Sequence, residues 1–172
     1  MIEFVPLAKT HIFLIQQWRN QQMDVLRQKT RLTRAGQIKW FAGLKDDSRQ
    51  KLFAMLGEVN AKKGLIGYCG LTNMDLPNRR AEVSFLLATE RTKDSTMYRK
   101  DMLAALGFLA SYAFEERGFN KIFTETFAFR RKHIGILEHF GLKREGVLRN
   151  HVFINGRYYD SIMHGLLARE YL

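Results

Sequence analysis

Cysteine is almost missing: Cys69 is the only one in 172 residues. That excludes an intramolecular disulfide framework and any zinc site built on several thiolates, and Cys69 itself is expected to be a small buried hydrophobe. Only two prolines occur, and a composition of 46% hydrophobic and 26% charged residues excludes a disordered tail or a linker-rich array. No stretch approaches the roughly 20 apolar residues of a membrane span. The opening run MIEFVPLAKTHIFLIQQW lacks the basic leader and long apolar core of a signal peptide. Together with the length, these absences point to one domain, residues 1–172, away from the membrane and expected in a reducing cytoplasm.

Familiar catalytic signatures are missing as well. There is no GxxxxGK[ST] and no GxGxxG; Gly64, Gly67 and Gly70 recur at intervals of three inside strand-like sequence rather than at a strand-to-helix turn. The five histidines form no HExxH, and no GxSxG elbow occurs, so zinc and serine hydrolases lack support and no metal is expected. What is abundant is positive charge. With 28 Lys and Arg against 17 Asp and Glu, the formal charge is +11, which suits an anionic partner such as a phosphorylated small molecule, a nucleic acid or an anionic membrane.

The hydrophobic periods set an order of elements. Residues 2–7 read as a strand, and Thr10 as the cap of a helix carrying Ile12, Ile15 and Trp18. A second helix is expected after Thr33, with Ile38, Phe41 and Leu44 on its apolar side. KLFAMLGEV and LIGYCGLT, joined by the polar turn at 60–64, read as a hairpin, and AEVSFLLAT at 81–89 as a third strand. A polar loop at 90–99 precedes a helix over 101–117 ending before Gly118. The strand KIFTETFAF, a short helix ending at Gly141, and two strands joined by Asn155-Gly156 complete the chain. No internal repeat or domain boundary is visible.

The stretches YAFEERGFNKIFTETF, HIGILEHFGLKREGVLR and INGRYYDSIMHGLLAREYL resemble the GNAT acyltransferase superfamily. Within it the chain resembles the branch holding ribosomal-protein N-terminal acetyltransferases and spermidine acetyltransferases. The early WRN at 18–20, with Ile38 and Trp40-Phe41, also resembles acetyltransferases acting on sugar-nucleotide amines. The resemblance implies an α+β fold, a single GNAT-like domain whose mixed, mostly antiparallel sheet is flanked by helices and ends in a C-terminal β-hairpin. It also implies acetyl-CoA as cosubstrate and direct attack of an amine on the thioester, the amine belonging to a small molecule or a peptide. An amine of pKa about 10 must lose a proton before it attacks, so a base is needed.

Residue by residue, the resemblance makes the strand AEVSFLLAT the one that holds the pantetheine arm, through Phe85, Leu86 and Leu87, and places Glu82 as base or substrate anchor. The alternative for Glu82 is a solvent-facing carboxylate paired with Arg79 or Arg80. Two departures stand out. Where relatives have a glycine-bearing loop for the pyrophosphate, this chain has Met97-Tyr-Arg-Lys-Asp-Met102, so Arg99 and Lys100 are expected to bind phosphate by charge. Arg130 stands where many relatives have Asn and is assigned to the cofactor, while Leu137 replaces the tyrosine that protonates the thiolate. That acid is left open among Tyr98, Tyr112, Tyr158 and Tyr159. The competing function is a GNAT-fold protein without catalysis that binds a nucleotide or nucleic acid through its basic face. Nucleic acid is disfavoured by the absence of its motifs, and self-association is left open.

Overall fold

The computed structural model describes residues 1–171. Strand β1 (Glu3–Pro6) leads into helix α1 (Ile12–Gln21), a 3-10 turn at Met23–Val25 and helix α2 (Arg34–Leu44). The meander follows as β2 (Lys51–Val59), β3 (Lys62–Asp75) and β4 (Arg80–Leu87). A short α3 (Thr89–Lys93), a long α4 (Ser95–Ser111), β5 (Lys121–Phe127), α5 (Arg131–Phe140), β6 (Lys143–Ile154), β7 (Arg157–Leu167) and a last turn α6 (Ala168–Tyr171) complete the order. The strands form one sheet in the order β1-β2-β3-β4-β5-β7-β6, in which only β4 and β5 run parallel. This is the expected α+β architecture, including the C-terminal hairpin.

Alternation along the strands sorts side chains between two layers. Phe53, Met55, Cys69, Leu71, Val83 and Leu87 pack on one face with Met102, Leu106, Leu109 and Leu137 of α4 and α5. Leu52, Tyr68 and Leu86 pack on the other with Ile15 and Trp18 of α1. Burial pushes the Cys69 thiol well above its ordinary range, as befits a core residue far from any acid-base role. The β2–β3 and β6–β7 hairpins each turn on two left-handed residues, Asn60-Ala61 (φ 51° and 60°) and Asn155-Gly156 (φ 49° and 80°), the type I′ geometry that matches strand twist.

Three local expectations are corrected. Thr10 does not cap α1; His11 occupies that position without a side-chain cap, and its Nδ1 instead accepts from the Ala8 amide at 3.1 Å. Thr33 does cap α2, accepting from Gly36 N at 3.1 Å, but Ile38 is exposed and the buried residue is Gln37, whose amide donates to the Ile12 carbonyl at 3.1 Å. The helix is thus docked by a hydrogen bond to α1 rather than by a greasy stripe. The third correction bears on function: residues 90–99 are helical rather than a loop. Asp94 caps α4 by accepting from Thr96 N at 2.8 Å and Met97 N at 2.9 Å. Asp101, fully buried, is gripped by Arg91, which holds α3 against α4.

Candidate active site

Strand β4 is paired with β5 only at Arg80, Ala81 and Glu82. Beyond Glu82 it stays bonded to β3 as far as Leu87, while β5 continues along β7 to Phe127. The two parallel neighbours therefore diverge and leave one edge of β4 without a strand partner. Backbone groups alternate sides along a strand. The Leu87 carbonyl, which accepts from Gln22 Nε2 at 2.9 Å, faces the gap, so Val83 and Phe85 present main-chain groups to the same side. Leu86 turns its backbone to β3 and its side chain toward the α1 layer. Of the three residues assigned to the pantetheine arm, Phe85 and Leu87 thus offer main chain to the gap and Leu86 lines it with its side chain.

Two cavities meet at this gap. One, of about 450 Å³, lies between the segment 25–32 and the diverging ends of β4 and β5, and includes Ser84, Phe85, Thr124 and Glu125 in its lining. The other, of about 970 Å³, lies between the start of α4 and α5. Lys93, Arg99, Arg130, Arg131 and Lys132 line it against a single acid, Asp24. Such a cation-rich hollow suits a polyanionic ligand on the scale of a nucleotide phosphate chain. Arg99 is part of it; Lys100 is exposed and lies outside the lining. Arg91, on the neighbouring α3, is committed to Asp101.

Val25, Arg130 and His133 line both cavities and form the wall between them. Arg130 donates to the Tyr98 hydroxyl at 3.2 Å, and that hydroxyl lies 2.7 Å from His133 Nδ1. Burial and the adjacent guanidinium hold His133 well below its ordinary pKa, so the ring is neutral near pH 7; with Arg130 donating to the phenol oxygen, Nδ1 is the acceptor of the phenol's hydrogen bond. Burial raises the Tyr98 pKa, Arg130 opposing it, and the phenol stays protonated. The other candidate tyrosines stand elsewhere: Tyr112 packs on Phe53 and Phe108, Tyr158 is exposed, and Tyr159 packs against Phe129. Leu137 is buried core.

Glu82 is only 3% exposed. Its carboxylate is held by Arg27 on one oxygen and by Asn73 Nδ2 at 2.6 Å on the other. It is neither solvent-facing nor paired with Arg79 or Arg80; Arg80 bonds Asp75. The carboxylate that lines the smaller cavity is Glu125 of β5. Arg27 bridges the two acids, with Glu125 Oε2 at 3.7 Å. Glu125 Oε1 has no hydrogen bond among the described residues, and His151 Nε2 lies 3.5 Å from it. Glu125, Arg27 and His133 were missed by sequence reading. A lone acid between threonines in the β-run KIFTETF, and a histidine on the buried side of HIGILEHF, were the available signals.

A family model described as an acetyltransferase (GNAT) domain matches residues 12–163. The chain belongs to the GNAT acetyltransferase family. YdaF of Bacillus subtilis, provisionally assigned as a ribosomal N-acetyltransferase, is 31% identical over 107 residues, which are 62% of this chain and 56% of that protein. An uncharacterised N-acetyltransferase of the same organism, YoaA, is 25% identical over 130 residues, 76% of this chain and 70% of its own. The chain thus spans little more than half of YdaF. The fold matches spermidine N-acetyltransferase from Vibrio cholerae, solved with CoA and spermine, at a TM-score of 0.87 and 22% identity, covering 99% of this chain and 97% of that one.

Proposed function

We propose that this GNAT domain is an acetyl-CoA-dependent N-acetyltransferase, moving an acetyl group to an amine within a complex of both substrates. The observation that carries the proposal is the open edge of β4, whose main-chain groups at Val83, Phe85 and Leu87 face the gap between a cation-lined cavity and a carboxylate-bearing one. An extended arm rich in amide groups binds such an edge as an added strand would.

Bound there, acetyl-CoA supplies an activated acetyl thioester. Arg99, Arg131 and Lys132 neutralise its phosphates, and main-chain N–H groups of β4 donate to the thioester oxygen as charge grows on it. Glu125 Oε1 takes the proton that the amine gives up, directly or through water. As the new C–N bond forms and the C–S bond breaks, the Tyr98 hydroxyl turns from His133 and passes its proton to the departing sulfur, and the Arg130 guanidinium stabilises the phenolate left behind. Glu82 does not touch the amine in this scheme. It fixes Arg27, and Arg27 in turn orients Glu125.

The competing reading, binding without catalysis, draws on one observation: the first amides of α4, where a pyrophosphate would be expected, are already satisfied by the Asp94 carboxylate. One experiment separates the two. Acetyl-CoA at about 100 times its Kd should stabilise the fold by roughly 2.7 kcal/mol, and thiol should be released when an acceptor amine is added. Stabilisation without thiol release across a panel of amines supports the binder; neither effect removes both acetyl-CoA readings.

A further inference from the structure

The smaller cavity carries a charge imbalance that its own walls do not cancel. Arg19, Arg27, Lys29 and Arg130 line it against one carboxylate, Glu125. Arg27 is matched by Glu82 and Glu125. The other three cations have only neutral partners: Arg19 donates to Gln28 Oε1 at 3.0 Å and to the Tyr68 hydroxyl at 3.4 Å, Lys29 to the Phe153 carbonyl at 3.4 Å, and Arg130 to the Val25 carbonyl at 3.4 Å and to Tyr98 at 3.2 Å. Among the described residues no carboxylate comes within 4.0 Å of any of the three. The neutral hydrogen bonds fix the side chains in place without spending their charge.

A cleft lined by one sign of charge concentrates ligands of the other. The same cavity nonetheless offers a nitrogen an acceptor that makes no hydrogen bond among the described residues, Glu125 Oε1, with His151 Nε2 3.5 Å away. Resting on the acetyltransferase reading above, we propose that the acceptor is an amine that also bears an anionic group, a carboxylate or a phosphate, with its nitrogen at Glu125 and its anion at Arg19 and Lys29. Arg130, in the wall shared with the larger cavity, adds to the field without being assigned to either ligand. A polycation would place its second ammonium against Arg19 or Lys29 and be repelled. The Vibrio cholerae protein of the same fold was solved with spermine; the charges of this cavity select the opposite class.

The test uses four amines with the intact chain: β-alanine, phosphoethanolamine, propylamine and spermidine. Turnover is followed by thiol release from acetyl-CoA, and binding by calorimetry, both to the free chain and to its CoA complex. One of the two anionic amines should exceed propylamine in kcat/KM and in affinity by about tenfold or more, the worth of a charge-assisted hydrogen bond. The comparison between them tells carboxylate from phosphate. The double variant Arg19→Gln, Lys29→Gln should abolish the preference, whereas Lys39→Gln with Lys45→Gln, exposed positions lining neither cavity, should preserve it. Equal or better use of spermidine or propylamine, or a preference that survives the double variant, overturns the inference. If acetyl-CoA fails to bind, the acetyltransferase reading falls separately, and the amine affinities of the free chain still decide the charge preference.

Discussion

The phenol oxygen of Tyr98 stands 2.7 Å from Nδ1 of His133, across the wall that divides the two cavities. With Arg130 donating to the same hydroxyl, a neutral imidazole lets Nδ1 accept from the phenol, whereas a protonated ring could only donate to it. The unfolded chain takes up a proton at this histidine near its ordinary value of 6.5, whereas the folded chain resists it to well below that. Stability is therefore expected to fall as pH drops below about 6.5, by up to about 1.4 kcal/mol per pH unit from this residue, and to level off beneath the folded-state pKa. His11, also depressed by burial, pulls the same way. Urea unfolding at stepped pH should show a shallower acid slope in His133→Asn than in the parent; identical slopes would mean that His133 is not held neutral.

The two buried acids divide the work unequally. Glu125→Gln and Tyr98→Phe should each lower kcat by about 10² to 10⁴ while leaving acetyl-CoA affinity near that of the parent. Glu82→Gln should act chiefly on KM, since it frees Arg27 without removing the group that meets the amine. Steady-state kinetics on the three variants check this. A kcat collapse in Glu82→Gln with Glu125→Gln unimpaired would return the base to β4.

Arg99 and Lys100 are adjacent in sequence and unequal in space. Arg99→Ala should weaken acetyl-CoA binding by about tenfold and reduce its salt dependence, while Lys100→Ala changes it less than about twofold. Calorimetric titrations at two ionic strengths distinguish them, and equal losses would place the phosphates outside the lined cavity.

Two glycines report on the sheet and on α4. A Cβ at Gly67 would stand 2.5 Å from the Leu86 carbonyl oxygen and 3.1 Å from Leu87 Cα, so Gly67→Ala must displace β4 at its open end. A loss of about 1 to 3 kcal/mol is expected, with weaker acetyl-CoA binding. Gly107 in α4 meets nothing within 4 Å, and Gly107→Ala should gain about 0.5 to 1 kcal/mol from helix propensity. Denaturant midpoints for the pair should move in opposite directions.

Much of this architecture was legible in the chain. Strand alternation, the left-handed Asn155-Gly156 turn and the Thr33 cap are local signals, and the structure keeps them. The segment 90–99 misread because its polarity suggests a loop, while its helicity depends on Asp94 as a cap and on Arg91 meeting Asp101 ten residues away. The site was legible as a strand but not as a set of charges. Glu82 was chosen by its position in a pattern, yet what occupies its oxygens is Arg27, from a segment 55 residues earlier. Glu125, on the neighbouring strand, becomes prominent only once β4 and β5 part after Glu82.

The most direct test is amide hydrogen exchange along β4 with and without acetyl-CoA. Open-edge amides exchange readily unless a ligand bonds them, whereas those of Ser84 and Leu86 face β3 and are already protected. The account predicts that acetyl-CoA slows exchange at Phe85 and Leu87, with a smaller effect at Ser84 and Leu86, and at Val83, whose N–H is already engaged by β5 at the end of the parallel pairing. Saturating acetyl-CoA that leaves Phe85 and Leu87 exchanging as in the free chain would contradict it.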